Sequence, residues 1–212
     1  VAARKAEAVL VVAKLDRLGT PRVLIVGDLI LDRYVVGDVA RISPEAPIPV
    51  LAARSEELRL GGAGNVAANL AAMGADVAMV ALVGDDGRGR ALRELLEELS
   101  IDASGVAIDP ERPTIEKTRL LSGVQQMLRV DREDASPLEG EVAARVLEAA
   151  RAAVERADAV VLSDYGKGLL TAELDAALIA ADRERGIPCL VDPKGSDWAR
   201  YRGATLVTPN RK

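Results

Sequence analysis

The 212-residue sequence has no histidine and no phenylalanine, and its one cysteine is Cys189. Without histidine, Ser-His-Asp and Cys-His catalysis and histidine-based metal sites are excluded. A single cysteine excludes a disulfide framework or a cysteine zinc cage within one chain. The aromatic residues are Tyr34, Tyr165, Trp198 and Tyr201, too few to build stacking platforms for single-stranded nucleic acid. Acidic residues outnumber basic ones, 33 to 28, for a net charge of −5, which disfavours non-specific nucleic-acid binding. No apolar run approaches the ~20 residues of a membrane-spanning helix. Residues 1–18 carry Glu7 and Asp16 and lack the continuous apolar stretch of a signal peptide. A cytoplasmic protein without membrane or nucleic-acid partners is expected.

What is present is aliphatic. Hydrophobic residues make up 49% and charged residues 29%, a balance that favours a packed core over disorder. A chain of this length buries roughly 70% of its unfolded surface, so one domain, or one with a small appendage, is expected.

Residues 3–18 read as an amphipathic helix, apolar at Ala8, Val11, Val12, Leu15 and Leu18 and stopped at Gly19. The short apolar runs 23–26, 77–83, 159–162, 190–191 and 205–208 read as strands. The first, continuously apolar and ended by Gly27, has the pattern of a strand buried in a parallel sheet. Helices are expected from the glycine cluster at 61–64 to about Met73, over 88–99, from Pro137 to about Arg156, and over 171–185. This alternation implies a doubly wound α/β sheet with right-handed crossovers. Two segments break the rhythm. Residues 34–60 contain Pro44, Pro47 and Pro49 and read as an exposed excursion of short strands. Residues 114–132 read as two strands joined through Ser122-Gly123, with Lys117, Arg119 and Arg129 on them. Together they are expected to form a small second sheet.

In an open parallel sheet, ligands bind at the carboxyl ends of strands. Strand 23–26 is followed by Gly27-Asp28 and then Asp32. Strand 159–162 is followed by Ser163-Asp164-Tyr165-Gly166-Lys167-Gly168, strand 190–191 by Asp192-Pro193-Lys194-Gly195, and strand 205–208 by Pro209-Asn210. One carboxylate in such a place is commonly a helix cap, but four polar strand ends argue for a shared cleft. Gly61-Gly62-Ala63-Gly64-Asn65 allows close approach of a ligand to backbone. The helix after it offers free N–H groups and a positive dipole end. Asn65 can donate and accept, as sugar hydroxyls require, or it is only a local cap. Lys167 and Lys194 suit phosphate as point cations, or are solvated. Gly62-x-Gly64-x-x-Ala67 formally matches a dinucleotide fingerprint, with Asp85 and Asp86 about twenty residues on. The preceding residues 54–60 are too charged for the buried strand that fingerprint should follow.

These segments resemble the ribokinase-like (PfkB-type) carbohydrate kinases. Gly61-Gly62, Asn65, Ala67, Gly74 and Gly84 meet the family's first motif. More narrowly, residues 27–34 (GDLILDRY), 41–47 (RISPEAP), 125–131 (QQMLRVD), 162–168 (LSDYGKG) and 191–195 (VDPKG) resemble the heptose 7-phosphate kinases of ADP-heptose synthesis. The likeness runs from Val23 to Asn210. It implies a three-layer α/β sandwich with a mostly parallel central sheet and a small β-sheet lid. The lid strands would fall at about 34–60 and 114–132, and such lids often pair with that of a second subunit, giving a homodimer. The activity implied is transfer of phosphate from ATP, with Mg²⁺, to the anomeric hydroxyl of heptose 7-phosphate. The 1,7-bisphosphate formed would feed ADP-heptose and lipopolysaccharide core synthesis.

By matching positions, the resemblance assigns Asp28, Gly61, Gly62 and Asn65 to the sugar hydroxyls, with Asp164 near the sugar. It assigns Lys117 and Arg129, from the lid, to the 7-phosphate. Lys194 and Asn210 fall on the phosphoryl-transfer side. Asn210 matches the Asn of an Asn-x-x-Glu motif whose Glu positions magnesium and phosphates, and the sequence ends at Lys212, before that Glu. The family's Gly-x-Gly-Asp turn, which supplies the catalytic base, has no counterpart here. Residues 1–212 are therefore expected to be a partial kinase domain, with the base Asp and most of the adenine pocket beyond Lys212. No catalytic or metal-binding residue is assigned within the chain, and no transfer is expected from it alone. The alternatives are another PfkB-type sugar or nucleoside kinase, a non-catalytic sugar-binding or dimerising module, and an NAD-type dehydrogenase.

Overall fold

The computed structural model describes residues 19–210; the helix expected over residues 3–18 lies outside them. The chain runs through β1 (Arg22–Gly27), β2 (Leu29–Ile42), β3 (Pro49–Gly62), α1 (Ala63–Ala72), β4 (Asp76–Gly84), α2 (Gly87–Glu98) and β5 (Asp102–Asp109). It continues through β6 (Glu116–Ser122), β7 (Gln125–Arg132), α3 (Gly140–Val154), β8 (Ala159–Ser163), α4 (Ala172–Arg185) and β9 (Cys189–Asp192). A 3₁₀ turn at Trp198–Tyr201 precedes β10 (Leu206–Val207).

Six strands form a parallel sheet in the order β10-β9-β8-β1-β4-β5. Side chains alternate across it with period two. On β1, Val23 and Ile25 join Ala63 and Ala67 of α1 and Leu92 and Leu96 of α2 in one core. Leu24 and Val26 join Val146, Ala150 and Val154 of α3 and Leu174, Leu178 and Ile179 of α4 in the other. Both faces are covered, so the continuous apolar runs of β1 and β4 are what the position demands. The result is the three-layer α/β sandwich expected. The chain leaves β1 for β4 on one side and later returns to β8 on the other, with the connecting helices on opposite faces. The strand order therefore reverses beside β1, where open α/β sheets place their ligand crevice.

The second sheet has the order β3-β2-β6-β7. β2 pairs with β3 antiparallel and with β6 parallel, and β6 pairs with β7 antiparallel. It stands over the carboxyl ends of the first sheet as a lid, because β2 begins two residues after β1 ends. Three points differ from what the sequence led one to expect. The segment read as short strands over 34–60 belongs to two 14-residue strands. Their bases reach into the core, where Leu29, Ile30, Leu31 and Leu60 are buried. Pro44 and Pro47 fall in the turn between them and Pro49 on the first residue of β3, where proline is tolerated. Second, Gly61 and Gly62 end β3, and the helix opens only at Ala63. Third, β5 had no apolar run to announce it. It is an edge strand paired with β4 alone, half wet and interrupted by Ser104-Gly105.

One buried group sits uneasily in this core. Asp182 on α4 is fully buried, its carboxylate has no N–H or O–H donor and only the Cys189 thiol and the Arg185 charge to oppose its burial, and burial pushes its pKa up to about 6. A raised folded-state pKa means the fold binds more protons than the unfolded chain, so this contribution to stability is lost as pH climbs from about 4 to above 6. Asp182→Asn is therefore expected to stabilise the protein at pH 8 by about 2–3 kcal/mol and to do little at pH 4. Thermal melts of both proteins across that range check the sign.

Candidate active site

The polar strand ends meet where β1 and β8 lie side by side. Asp28 follows β1 and is buried. Its carboxylate accepts the backbone N–H groups of Tyr165 at 2.9 Å, Lys167 at 3.1 Å and Leu169 at 3.3 Å. Burial raises its pKa, and the nearby Asp164 charge adds to this, against the lowering by those N–H bonds. Its backbone carbonyl accepts the N–H of Ala63 at 3.0 Å, the first residue of α1. One residue thus fastens both the 164–169 loop and the turn into α1. Asp164 is also buried and committed. It accepts the Gly166 N–H at 2.7 Å and the Tyr201 hydroxyl at 2.6 Å, while its own N–H bonds to the Asp192 carbonyl at 2.9 Å. The carboxylates of Asp28 and Asp164 shape the floor of the crevice and face protein groups.

A different carboxylate faces the space under the lid. Alternation along β2 puts Ile30, Asp32 and Tyr34 on one face, and cross-strand pairing adds Arg59 and Gly61 of β3 and Lys117 and Arg119 of β6. A Cβ on Gly61 would come within 2.5 Å of an Asp32 carboxyl oxygen, so the glycine leaves that carboxylate its room. Gly62 caps α1 with φ 57°, and a side chain there would also strike the Asp28 carbonyl; only glycine meets both conditions. Asn65 is exposed in the first turn of α1, and α1 has no side-chain cap, so its amide is not spent on the helix end. Tyr165 is half-buried. Burial raises its phenol pKa, and the charges of Asp192 and Asp32 add to this.

The lid cations nearest Asp32 and Asp131 are engaged. Lys117 Nζ reaches Asp131 at 2.9 Å and Glu133 at 3.4 Å, and Arg129 grips Asp131 at 2.8 and 3.0 Å. Arg119 bonds Asp32 at 2.6 Å, and both Arg119 and Arg59 lie over the Tyr34 ring, 5.2 and 4.9 Å from its centre. Lys167 Nζ bonds Glu133 at 2.7 Å. On the far side of the crevice, Lys194 is exposed and its side chain passes over Gly166, while Asn210 is exposed a few residues past β10. Asp192 beside it has its pKa raised by burial first and by the Asp164 charge second, with Lys194 opposing.

The structure thus gathers Asp28, Gly61, Gly62, Asn65 and Asp164 at one point, sets Lys117 and Arg129 on the lid, and leaves Lys194 and Asn210 on the β9–β10 side. Not assigned from sequence were the site roles of Asp32, Tyr165, Arg119 and Glu133, and the support given to Asp164 by Tyr201 and Arg200. Period-two alternation along β2 and β6 was the one available signal, and it required the pairing register. A cavity of about 20 Å³ beneath the lid, lined by Asp28, Arg112, Asp134, Lys167 and Leu169 among others, has room for about one water. A larger cavity of about 330 Å³ lies at the opposite ends of the strands, floored by Ala78, Ala149, Ala152 and Ala153 and rimmed by Arg22, Asp76, Asp102 and Arg156. Among the described residues no three His, Cys, Asp or Glu side chains gather into a group able to hold a metal ion. Among the same residues no helix is long and apolar enough to cross a membrane.

A sequence profile described as pfkB family carbohydrate kinase matches residues 20–212. The bifunctional protein HldE of Caulobacter vibrioides is 52% identical over 191 residues, covering 90% of this chain and 39% of that protein. The bifunctional protein HldE of Rhodospirillum rubrum is 50% identical over 203 residues, covering 95% and 40%. The chain therefore spans about two fifths of the length of these curated relatives. Among solved structures, Arabidopsis thaliana ribokinase complexed with ribose and ATP superposes with a TM-score of 0.65 at 20% identity, covering 90% of this chain and 60% of that one. The tetrameric inhibited form of phosphofructokinase-2 from Escherichia coli gives 0.66 at 20% identity, covering 90% and 61%. At that identity the two structures establish the ribokinase-like fold alone.

Proposed function

The chain belongs to the pfkB family of carbohydrate kinases, and from that premise we propose that it is the sugar-binding part of an ATP-dependent heptose 7-phosphate kinase. The whole protein would transfer phosphate from ATP to the anomeric hydroxyl, giving the 1,7-bisphosphate that ADP-heptose and lipopolysaccharide core synthesis consume. The reading carries with it a cytoplasmic location, where ATP is available, and a homodimer paired through the lid.

The observation that carries the reading is the Gly61-Gly62 turn beside Asp32. Backbone without side chains, a partly exposed carboxylate and the free amide of Asn65 lie together at the reversal of the sheet. That is a donor and acceptor set suited to sugar hydroxyls. Asp28 and Asp164 act by fixing the loops on which this set stands. Lys117 and Arg129 offer cations to a phosphate from above. ATP would approach Lys194 and Asn210. The described residues do not form a cage for Mg²⁺, and no step is assigned to it here.

Phosphoryl transfer is nearly all positioning and electrostatic stabilisation. A general base contributes about 10²–10⁴-fold and a donor to the transferring group about 10²–10³-fold. The 212 residues contain no Gly-x-Gly-Asp sequence to supply either. The chain by itself is therefore expected to bind sugar and not to turn it over. Calorimetric titration should show heptose 7-phosphate binding at least tenfold more tightly than heptose, with no product formed when ATP is added. Equal affinity for the two sugars would refute the phosphosugar reading. A second pfkB-type substrate, a plain sugar or nucleoside, would then account for the site.

A further inference from the structure

The lid cations and the loop after β8 converge on one carboxylate. Glu133 lies just past β7, in the segment that leaves the lid. One of its oxygens accepts from Lys167 Nζ at 2.7 Å and the other from Lys117 Nζ at 3.4 Å. Lys117 belongs to the lid, opposite Asp32 in the β2–β6 register. Lys167 belongs to the main body, on the loop whose backbone Asp28 fixes. Two ammonium groups from two parts of the molecule are thus held together by a negative charge between them. Both lysine side chains are largely covered, at 17% exposure, while the carboxylates of Asp131 and Glu133 are more open, at 27% and 28%.

We propose that Lys117 and Lys167 form a two-sided seat for the phosphate monoester of the substrate, with Glu133 as a stand-in anion that the phosphate displaces. The inference rests on the phosphosugar reading above and adds to it the seat, the part of Lys167 and the competition by Glu133. Three observations favour exchange over a permanent bridge. Partly exposed carboxylate–lysine pairs contribute only about 0–1 kcal/mol, so release of Glu133 costs little. A phosphate monoester carries about −1.5 to −2 charge and three acceptor oxygens, and lysine suits it as a mobile point cation. Asp131 keeps Arg129 as a partner at 2.8 and 3.0 Å when Lys117 turns away, so no buried charge is stranded. The seat also adjoins the sugar groups, since Lys117 lies across from Asp32 and Lys167 two residues from Tyr165.

A permanent structural bridge and a stand-in anion predict opposite signs for one substitution. The affinities of heptose 7-phosphate and heptose would be measured calorimetrically for the wild-type chain, Lys167→Met and Glu133→Gln, each checked by thermal melting. Lys167→Met is expected to reduce the preference for the phosphorylated sugar over heptose about tenfold or more. Glu133→Gln removes the competing charge and is expected to tighten heptose 7-phosphate about 3–10-fold. Wild-type preference retained in Lys167→Met, or weaker phosphosugar binding in Glu133→Gln, would overturn the proposal while the phosphosugar reading stood. No preference in the wild type would overturn both. If Lys167→Met fails to fold, the sign of the Glu133→Gln change alone decides.

Discussion

Asp28→Ala is expected to lower the stability of the protein by about 3 kcal/mol, a fall in melting temperature of roughly 6–12 °C. The carboxylate is buried and accepts three backbone N–H groups, those of Tyr165, Lys167 and Leu169. Alanine leaves these donors without an acceptor in a place that water reaches poorly, and each unsatisfied buried donor costs about 1–3 kcal/mol. Relaxation of the loop toward solvent recovers part of the sum. The loss should appear locally as well as globally. Amide exchange at Tyr165, Lys167 and Leu169 should speed up in the variant more than exchange in β4, whose N–H groups are held by the sheet. Sugar binding should weaken in parallel, because the 164–169 loop that borders the crevice loses the carboxylate that fixes it. Wild-type melting together with wild-type protection at these three amides would show that the loop is held by something else.

The second large effect is expected from Arg200→Met. Asp175 on α4 is fully buried, and its partner is Arg200, which donates from Nε at 2.6 Å and lies 3.8 Å from Asp164 as well. Removing one member of a buried ion pair leaves an uncompensated charge and typically costs about 3–5 kcal/mol. Here the charge has an exit through protonation. Burial already pushes the Asp175 pKa up to about 6 against the opposing pull of Arg200, and loss of the arginine moves it further up. A raised folded-state pKa gives stability that is present at low pH and lost as pH rises. The penalty of Arg200→Met should therefore be largest near pH 8 and shrink toward pH 5, where the wild type is itself losing the pair to protonation. Urea titrations at the two pH values separate this from a loss of packing, which would cost the same at both.

Much of the main sheet was legible in the sequence for a simple reason. A strand buried on both faces must be apolar throughout, and 23–26, 77–83 and 159–162 are. They became the cores of β1, β4 and β8. The polar ends after them were legible too, since a parallel sheet brings all its carboxyl ends to one edge. β5 was not legible, because an edge strand can afford Asp102, Ser104 and Gly105. The length of β2 and β3 was hidden by charge, since a lid strand has water on part of each face.

The site was legible in place and less so in detail. An Asp after a strand reads the same whether it faces a ligand or a loop's N–H groups, and only the fold shows Asp28 and Asp164 doing the second. The engagement of Lys117 and Arg129 with Asp131 depends on the β6–β7 register. The pairing of Asp32 with Arg119 joins residues 87 apart in sequence, and that of Arg200 with Asp175 joins residues 25 apart. No local pattern encodes such partners.

The central claim concerns the reaction, and phosphorus NMR tests it most directly. The full-length protein that contains these residues would be expressed, mixed with ATP, magnesium and heptose 7-phosphate, and followed by its phosphorus resonances. The account predicts a second sugar phosphorus signal coupled to the anomeric proton, appearing as ADP is released, with the 7-phosphate signal retained. ATP left unchanged by heptose 7-phosphate, or a new phosphate on any carbon other than the anomeric one, would contradict it.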